Sequence, residues 1–232
     1  MIPMLLWRCP LCATNEALEQ RRRPLRADLL RCAACGAQWR VRRVPGDDFY
    51  LKLVRSAEGA GTERSLADWY AAMKRKVTLS PIHDDALPLE PGEALYLASR
   101  AAELEGEEGD PLLDPSPANP EGGPAREGAR RDKREVAGVV AGCGRLFLTN
   151  RRLAWRPTHP VGQGGGEVIS FSLQRLNSAY AMMDFGLALL VGTRLYAVYL
   201  PEESVLKWVH YLALVARQVE AETGHVISTS HY

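Results

Sequence analysis

The chain has 232 residues and a formal net charge of +1, long enough for one or two domains with cores of their own. No apolar run approaches the ~20 residues of a membrane span. Met1 to Trp7 is too short for a secretory signal and lacks its basic start. The expected location is therefore cytoplasmic, with any membrane contact peripheral. The charge is segregated: residues 1–56 carry 11 Lys/Arg against 5 Asp/Glu, and residues 57–110 carry 5 against 12. That asymmetry predicts separate units, one of which can meet anions.

In residues 1–56, Cys9-Pro-Leu-Cys12 and Cys32-Ala-Ala-Cys35 form C-x2-C-x19-C-x2-C. Each short turn aims two thiolates at one point, and two such turns build the closed tetrahedral sulfur site that Zn²⁺ accepts. Gly36 follows the second pair, where a tight knuckle needs positive φ. Two disulfides fit poorly without a secretory leader, and this spacing is less typical of an iron–sulfur cluster. With all four positions taken by cysteine, the metal is expected to be one structural zinc and not a catalytic one. Strands are expected around the knuckles, at Leu5–Arg8, Leu29–Cys32, Gln38–Val44 and Phe49–Val54. This segment resembles the zinc-ribbon families. Arg21, Arg22 and Arg23 lie between the knuckles and Arg40 and Arg42 beyond them, a possible nucleic-acid face, although Glu16, Glu19 and Asp28 dilute it.

Residues 57–92 read as a linker. Ser65 caps a helix over 65–77 and Asp68 completes the box. Leu66, Trp69, Tyr70, Met73 and Val77 form one stripe, expected to dock the ribbon on the C-terminal domain. Pro81, Pro88 and Pro91 mark an extended lead-in, and His83, Asp84 and Asp85 read as exposed loop.

Residues 93–224 read as a second domain. A strand is expected at Ala94–Ala102. Residues 103–131, rich in Pro, Gly and acid, come next as a long mobile loop closed by Arg130, Arg131, Lys133 and Arg134. The next strand is expected near Glu135–Ala141, running into the first strand of a hairpin, Gly144 to Arg156, about Asn150-Arg151. In that register Leu148 faces Leu153 and Leu146 faces Trp155 on a core face, while Phe147–Ala154 and Arg145–Arg156 share the other. Glu167–Leu173, Asn177–Met183, Leu187–Val191 and Arg194–Leu200 bring the count to about seven strands. Pro201-Glu-Glu opens a final helix with the stripe Val205, Trp208, Leu212, Val215 and Val219, stopped by Gly224 before a tail over 225–232. Gly162–Gly166 lacks the lysine and helix of a phosphate loop and reads as a turn.

The hairpin Gly144–Trp155, the strand Ile169–Leu173 before Arg175-Leu176, and the last helix with Trp208 resemble the GRAM and pleckstrin-homology-like superfamily. The resemblance spans roughly residues 93–222. It implies a mainly β fold with helices (α+β): a seven-stranded barrel capped by the C-terminal helix, beside the small zinc ribbon. It further implies a non-enzymatic module for protein segments or anionic lipid headgroups. Basic side chains around the loop after the first strand often hold such headgroups, which locates Arg130, Arg131, Lys133 and Arg134, with Arg145 and Arg156 as neighbours. The expected function is therefore that of an adaptor, not an enzyme. Its partner is expected to be a protein first and a peripheral anionic membrane second, with nucleic acid on the ribbon as the alternative. No small-molecule substrate is evident.

Overall fold

The computed structural model describes residues 2–24, 27–45, 48–57, 59–107, 138–158, 168–182 and 186–230. They form two antiparallel-rich sheets and few helices. The first sheet is a five-stranded meander in the order β1-β2-β3-β4-β5. Its strands are β1 (Leu18–Arg21), β2 (Leu29–Cys32), β3 (Gln38–Val44), β4 (Asp48–Arg55) and β5 (Glu63–Ser65). Period-2 alternation drives it: Trp39, Val41, Leu51 and Leu53 are buried while Arg40, Arg42 and Lys52 are exposed. The expected strand at Leu5–Arg8 is absent; a helical turn, α1 (Ile2–Leu5), precedes an isolated bridge between Arg8 and Asn15. Strands β1 and β5 have too few apolar residues to stand out as runs, and pairing places them.

The connector helix, α2 (Leu66–Lys74), is shorter than the 65–77 span read from the stripe. Ser65 caps it, accepting from the Asp68 amide at 3.1 Å. Leu66, Trp69 and Met73 are buried, and Trp69 Nε1 donates to Leu51 O at 3.0 Å, so α2 seals the inner face of the first sheet.

The second sheet has nine strands and is not a closed barrel. They are β6 (Leu95–Ala98), β7 (Ala102–Glu107), β8 (Gly138–Thr149), β9 (Arg152–Pro157), β10 (Ile169–Ser172), β11 (Leu176–Ala181), β12 (Gly186–Val191), β13 (Arg194–Tyr199) and β14 (Ser228–Ser230). The main path runs β10-β9-β8-β7-β13-β12-β11-β14, with β6 paired to β8. Two strands exceed the expected seven. The single strand predicted over Ala94–Ala102 breaks into β6 and β7. The expected tail supplies β14, which pairs in parallel with β11. There β14 occupies an edge of β11, and no pairing joins β10 to β11 among the described residues. The segment 103–107, read as the start of the loop, is strand. Leu104 is buried between outward Glu103 and Glu105, an alternation hidden by the acidic composition.

Helix α3 (Val205–Thr223) begins after the cap residue Ser204, not at Pro201. Glu203 turns inward instead, with its side chain 1% exposed. It accepts from the Arg100 amide at 2.7 Å and Trp208 Nε1 at 3.1 Å. Trp208, Leu212, Val215 and Val219 are buried on one face of α3. The chain leaves through Gly224 at φ 74°, the left-handed helix exit glycine favours.

The β8–β9 hairpin has the register read from the sequence, with Leu148 opposite Leu153, Leu146 opposite Trp155 and Arg145 opposite Arg156. Both of its faces are buried, however. Phe147 and Ala154 pack with Leu87 and Leu95 in a second, smaller core, because the Pro-rich connector folds back over them. The turn does not use Asn150 at positive φ. Thr149 Oγ1 instead accepts from the amides of Arg151 (3.1 Å) and Arg152 (2.9 Å) and donates to Glu93 Oε1 at 2.8 Å. Asn150 Oδ1 accepts from the Ala94 amide at 2.9 Å. Glu93, with a fully buried side chain, receives Arg152 Nε and Nη2 at 2.8 and 3.0 Å.

The hairpin leads to two stability predictions. A Cβ on Gly144 would lie 2.4 Å from Arg156 O and 2.6 Å from the Trp155 ring, so Gly144→Ala should cost about 1–3 kcal/mol in urea unfolding. Burial pushes the Glu93 carboxyl up, but Arg152, the Glu90 amide and Thr149 outweigh it and hold it below its ordinary 4.5. A depressed folded value means the stabilisation is complete above the unfolded value and is lost as pH falls through the folded one. Stability measured against pH should therefore fall in acid less steeply in Glu93→Gln, which at neutral pH is weaker by about 3 kcal/mol.

Candidate metal centre and the charged residues around it

The two C-x2-C turns are built alike. In the first, the Cys9 amide donates to Thr14 O and the Ala13 amide to Cys9 O, both at 2.9 Å; in the second, Cys32 donates to Ala37 O at 2.9 Å and Gly36 to Cys32 O at 3.0 Å. The fifth residue of each is left-handed: Ala13 at φ 59° and Gly36 at φ 72°. Only the second carries the glycine that this conformation favours.

These turns bring Cys9, Cys12, Cys32 and Cys35 together, with all four sulfurs within 4.8 Å of one another. Cys9 and Cys35 Sγ are 3.9 Å apart and Cys12 and Cys32 Sγ 3.7 Å. A regular tetrahedron of such edges has its centre about 2.3 Å from each corner, a metal–thiolate bond length. The donor set and its spacing fit a metal ion with no coordination position left open. Cys9 and Cys32 are buried, and Cys12 and Cys35 lie at the surface. Without an ion the thiols differ. Burial pushes Cys9 and Cys35 up. Burial also works against ionisation of Cys12, but Thr14 and the neighbouring thiols bring it down to about 6. Cys143, the remaining cysteine, is exposed and far in sequence from the four.

The centre is fastened to the second sheet. Ile2, Leu6, Trp7, Cys9 and Cys32 share one hydrophobic core with Trp208, Tyr211 and Leu212. Trp7 lies 5.8 Å from the Tyr211 ring. Glu16, in the left-handed region at φ 53°, reaches across to Arg100 Nη2 at 3.1 Å and to Lys207 Nζ. Lys207, 5% exposed, also meets Glu203. By composition Glu16 reads only as dilution of basic charge. The signal for its role is its place three residues after the first knuckle's left-handed turn.

The predicted charged residues separate into three groups. Arg130, Arg131, Lys133 and Arg134 lie outside the described residues, as does Gly162–Gly166. Arg145 and Arg156 are engaged within the fold. Arg145 Nη2 is 2.6 Å from Asp84 Oδ2 and its Nε donates to Ser99 O at 2.8 Å. Arg156 donates to Ala86 O. Asp84, read as exposed loop, is thus half-buried, and Arg145 above all holds its carboxyl below the usual value, against burial. Arg21, Arg40 and Arg42 lie on the outward face of the first sheet, as the register places them: Arg21 opposite Leu29, Leu29 opposite Arg40, Arg42 opposite Tyr50. Arg22 instead lines a cavity of about 430 Å³ with Asp28, Arg43 and Phe49, and Arg23 offers its amide to Asp28. The same face adds Arg31, Lys52 and Arg55, which sequence reasoning misses although Gln38-x-Arg40-x-Arg42 and Tyr50-x-Lys52 alternate with period 2.

No model of a known protein family matches the chain, and no curated protein matches it. No helix among the described residues is long and apolar enough to cross a membrane.

The conformational mismatch between the knuckles gives a direct test. Ala13→Gly should raise stability by about 1 kcal/mol in chemical unfolding of the metal-bound protein. Because the ribbon and the second sheet share one core, chelation should lower a single cooperative melting transition and not remove a separate early one.

Proposed function

We propose that the chain is a non-catalytic adaptor: a structural zinc ribbon carried on a GRAM or pleckstrin-homology-like domain that binds a protein partner. Strand order carries the kinship. Strands β7 to β10 form one meander and β11 to β13 another; β7 pairs with β13, and α3 comes after them. Seven consecutive strands in two meanders, followed by a C-terminal helix, support the resemblance, with β6 and β14 as additions. Zinc is favoured by four thiolates in a closed tetrahedron. A fully occupied coordination shell gives the metal no position for water or substrate, which supports a structural role.

Between the two expected partners of the β-domain, two of the six named basic residues bear on the choice. Arg145 and Arg156 are tied to Asp84 and to the Ala86 carbonyl, so neither is available to a lipid headgroup without breaking an internal contact. That favours a protein partner over the membrane.

Metal analysis of the purified protein should give one zinc per chain; iron with visible absorbance would overturn the zinc assignment. Vesicles rich in phosphatidylserine should not co-sediment with the protein at about 0.15 M salt, and a purified partner recovered from the source cells should bind it saturably in calorimetry. Co-sedimentation lost on changing Arg130, Arg131, Lys133 and Arg134 to Ala would transfer the function to the membrane.

A further inference from the structure

The outward face of the first sheet is a surface that the adaptor reading leaves unused. Strand register assembles it in rows. Arg31 on β2 sits opposite Gln38 on β3, which sits opposite Arg55 on β4. One row over, Arg21, Leu29, Arg40, Lys52 and Glu63 succeed one another across all five strands. Arg42 lies beyond, over the Tyr50 ring at 5.4 Å. Six cations therefore face outward together with three carboxylates: Asp48, which accepts from the Phe49 amide at 2.8 Å, and the pair Glu19 and Glu63. That pair is taken by Arg21 at 3.9 Å and Arg42 at 3.0 Å.

The four cations that remain, Arg31, Arg40, Lys52 and Arg55, are exposed. Among the described residues none of them has an ion pair. Arg40 and Lys52 are direct cross-strand neighbours, a like-charge pairing that weakens a sheet when nothing lies over it. Arg31 and Arg55 flank a groove of about 300 Å³ beside Gly36 and Ser56 at the second knuckle. The metal turn thus forms one wall of the groove and fixes its shape.

We propose that this face binds the phosphodiester backbone of a nucleic acid. These four cations, on β2, β3 and β4, stand up to two strand spacings apart, about 5–10 Å. A single phosphate could meet at most two of them, whereas a polymer of phosphates meets all. A membrane surface fits less well. Among the described residues the exposed large apolar side chains, Leu5, Ile82, Leu89, Leu195 and Val226, are not in these rows, so the face offers no anchor for the acyl boundary. The one aromatic ring of the face, Tyr50, is already covered by Arg42. Binding is therefore to the backbone, without base reading. The proposal is independent of what the β-domain holds.

The test is fluorescence anisotropy of the full zinc-loaded chain with a labelled mixed-sequence single strand and with its duplex. Binding should be seen at low salt. If the four cations each displace one counterion, the duplex affinity should fall about a hundredfold from 50 to 200 mM salt. Arg40→Gln with Lys52→Gln should reduce the salt slope by about two. The fourfold variant that adds Arg31→Gln and Arg55→Gln should abolish binding while keeping its metal content and melting transition. Arg175→Gln with Arg217→Gln, exposed elsewhere, should bind as the unaltered protein does. Three results would overturn the proposal: no binding to either strand form at low salt, binding that the fourfold variant retains, or a stronger attachment to phosphatidylserine vesicles that the same four substitutions remove. The control for folding is metal content, so a variant that fails to fold is replaced by the single substitutions, each of which should lower the slope by about one.

Discussion

The ribbon segment is too small to fold around its own apolar residues, and everything in the N-terminal part of the molecule answers to that shortage. Two short turns, each closed by an amide-to-carbonyl bond of 2.9–3.0 Å onto its first cysteine, deliver four sulfurs to one point. A metal at that point supplies on the order of 10 kcal/mol in comparable small domains. The remainder comes from outside the ribbon: α2 covers Trp39 with Trp69 at a ring separation of 5.9 Å, and α3 meets Trp7 through Tyr211. The cysteine cluster and the β-domain are therefore thermodynamically coupled, although they are separate in sequence. The coupling also has a polar part. Lys207 is buried with Glu203 and Glu16, and a buried cation that loses a carboxylate is far more costly than an exposed one. The junction tolerates little relative movement, so the charged face of the first sheet keeps a fixed orientation on the β-domain.

The sequence makes the local objects legible and leaves their partners obscure. Four cysteines at x2, x19 and x2 spacing meet in space because the turns that place them are local. The β8–β9 register comes from alternation of Leu146, Leu148, Leu153 and Trp155, which is also local. What fails is whatever depends on a distant segment. The second hairpin face is buried by Leu87 and Leu95, and no pattern within the hairpin announces them. Asp84 has the composition of a loop, yet Arg145, 61 residues away, fixes it. Residues 228–230 are polar and unpatterned, and they form a strand only because β11 offers an edge. Helix α3 starts four residues later than Pro201 because Glu203 is drawn inward by Trp208 and Lys207. In each case a tertiary contact outweighs a local preference of about a kcal/mol or less.

Charge divides the molecule in a way that net charge conceals. In the β-domain three of the four described arginines of the hairpin are matched by carboxylates: Arg145 with Asp84, Arg152 with Glu93 and Arg151 with Glu90. These contacts stitch the connector to β8 and β9, and their role is cohesion. In the ribbon, the sheet places Arg40 opposite Lys52, and the face carries three carboxylates, Glu19, Asp48 and Glu63, against six cations. Acidic partners are thus supplied to the hairpin, whereas among the described residues the outward face of the first sheet, held at one end by the second knuckle, carries more cations than carboxylates. Rigidity matters there, because a fixed row of cations loses little conformational entropy when an extended anion settles on it, whereas the same charges on a loop would have to be ordered first.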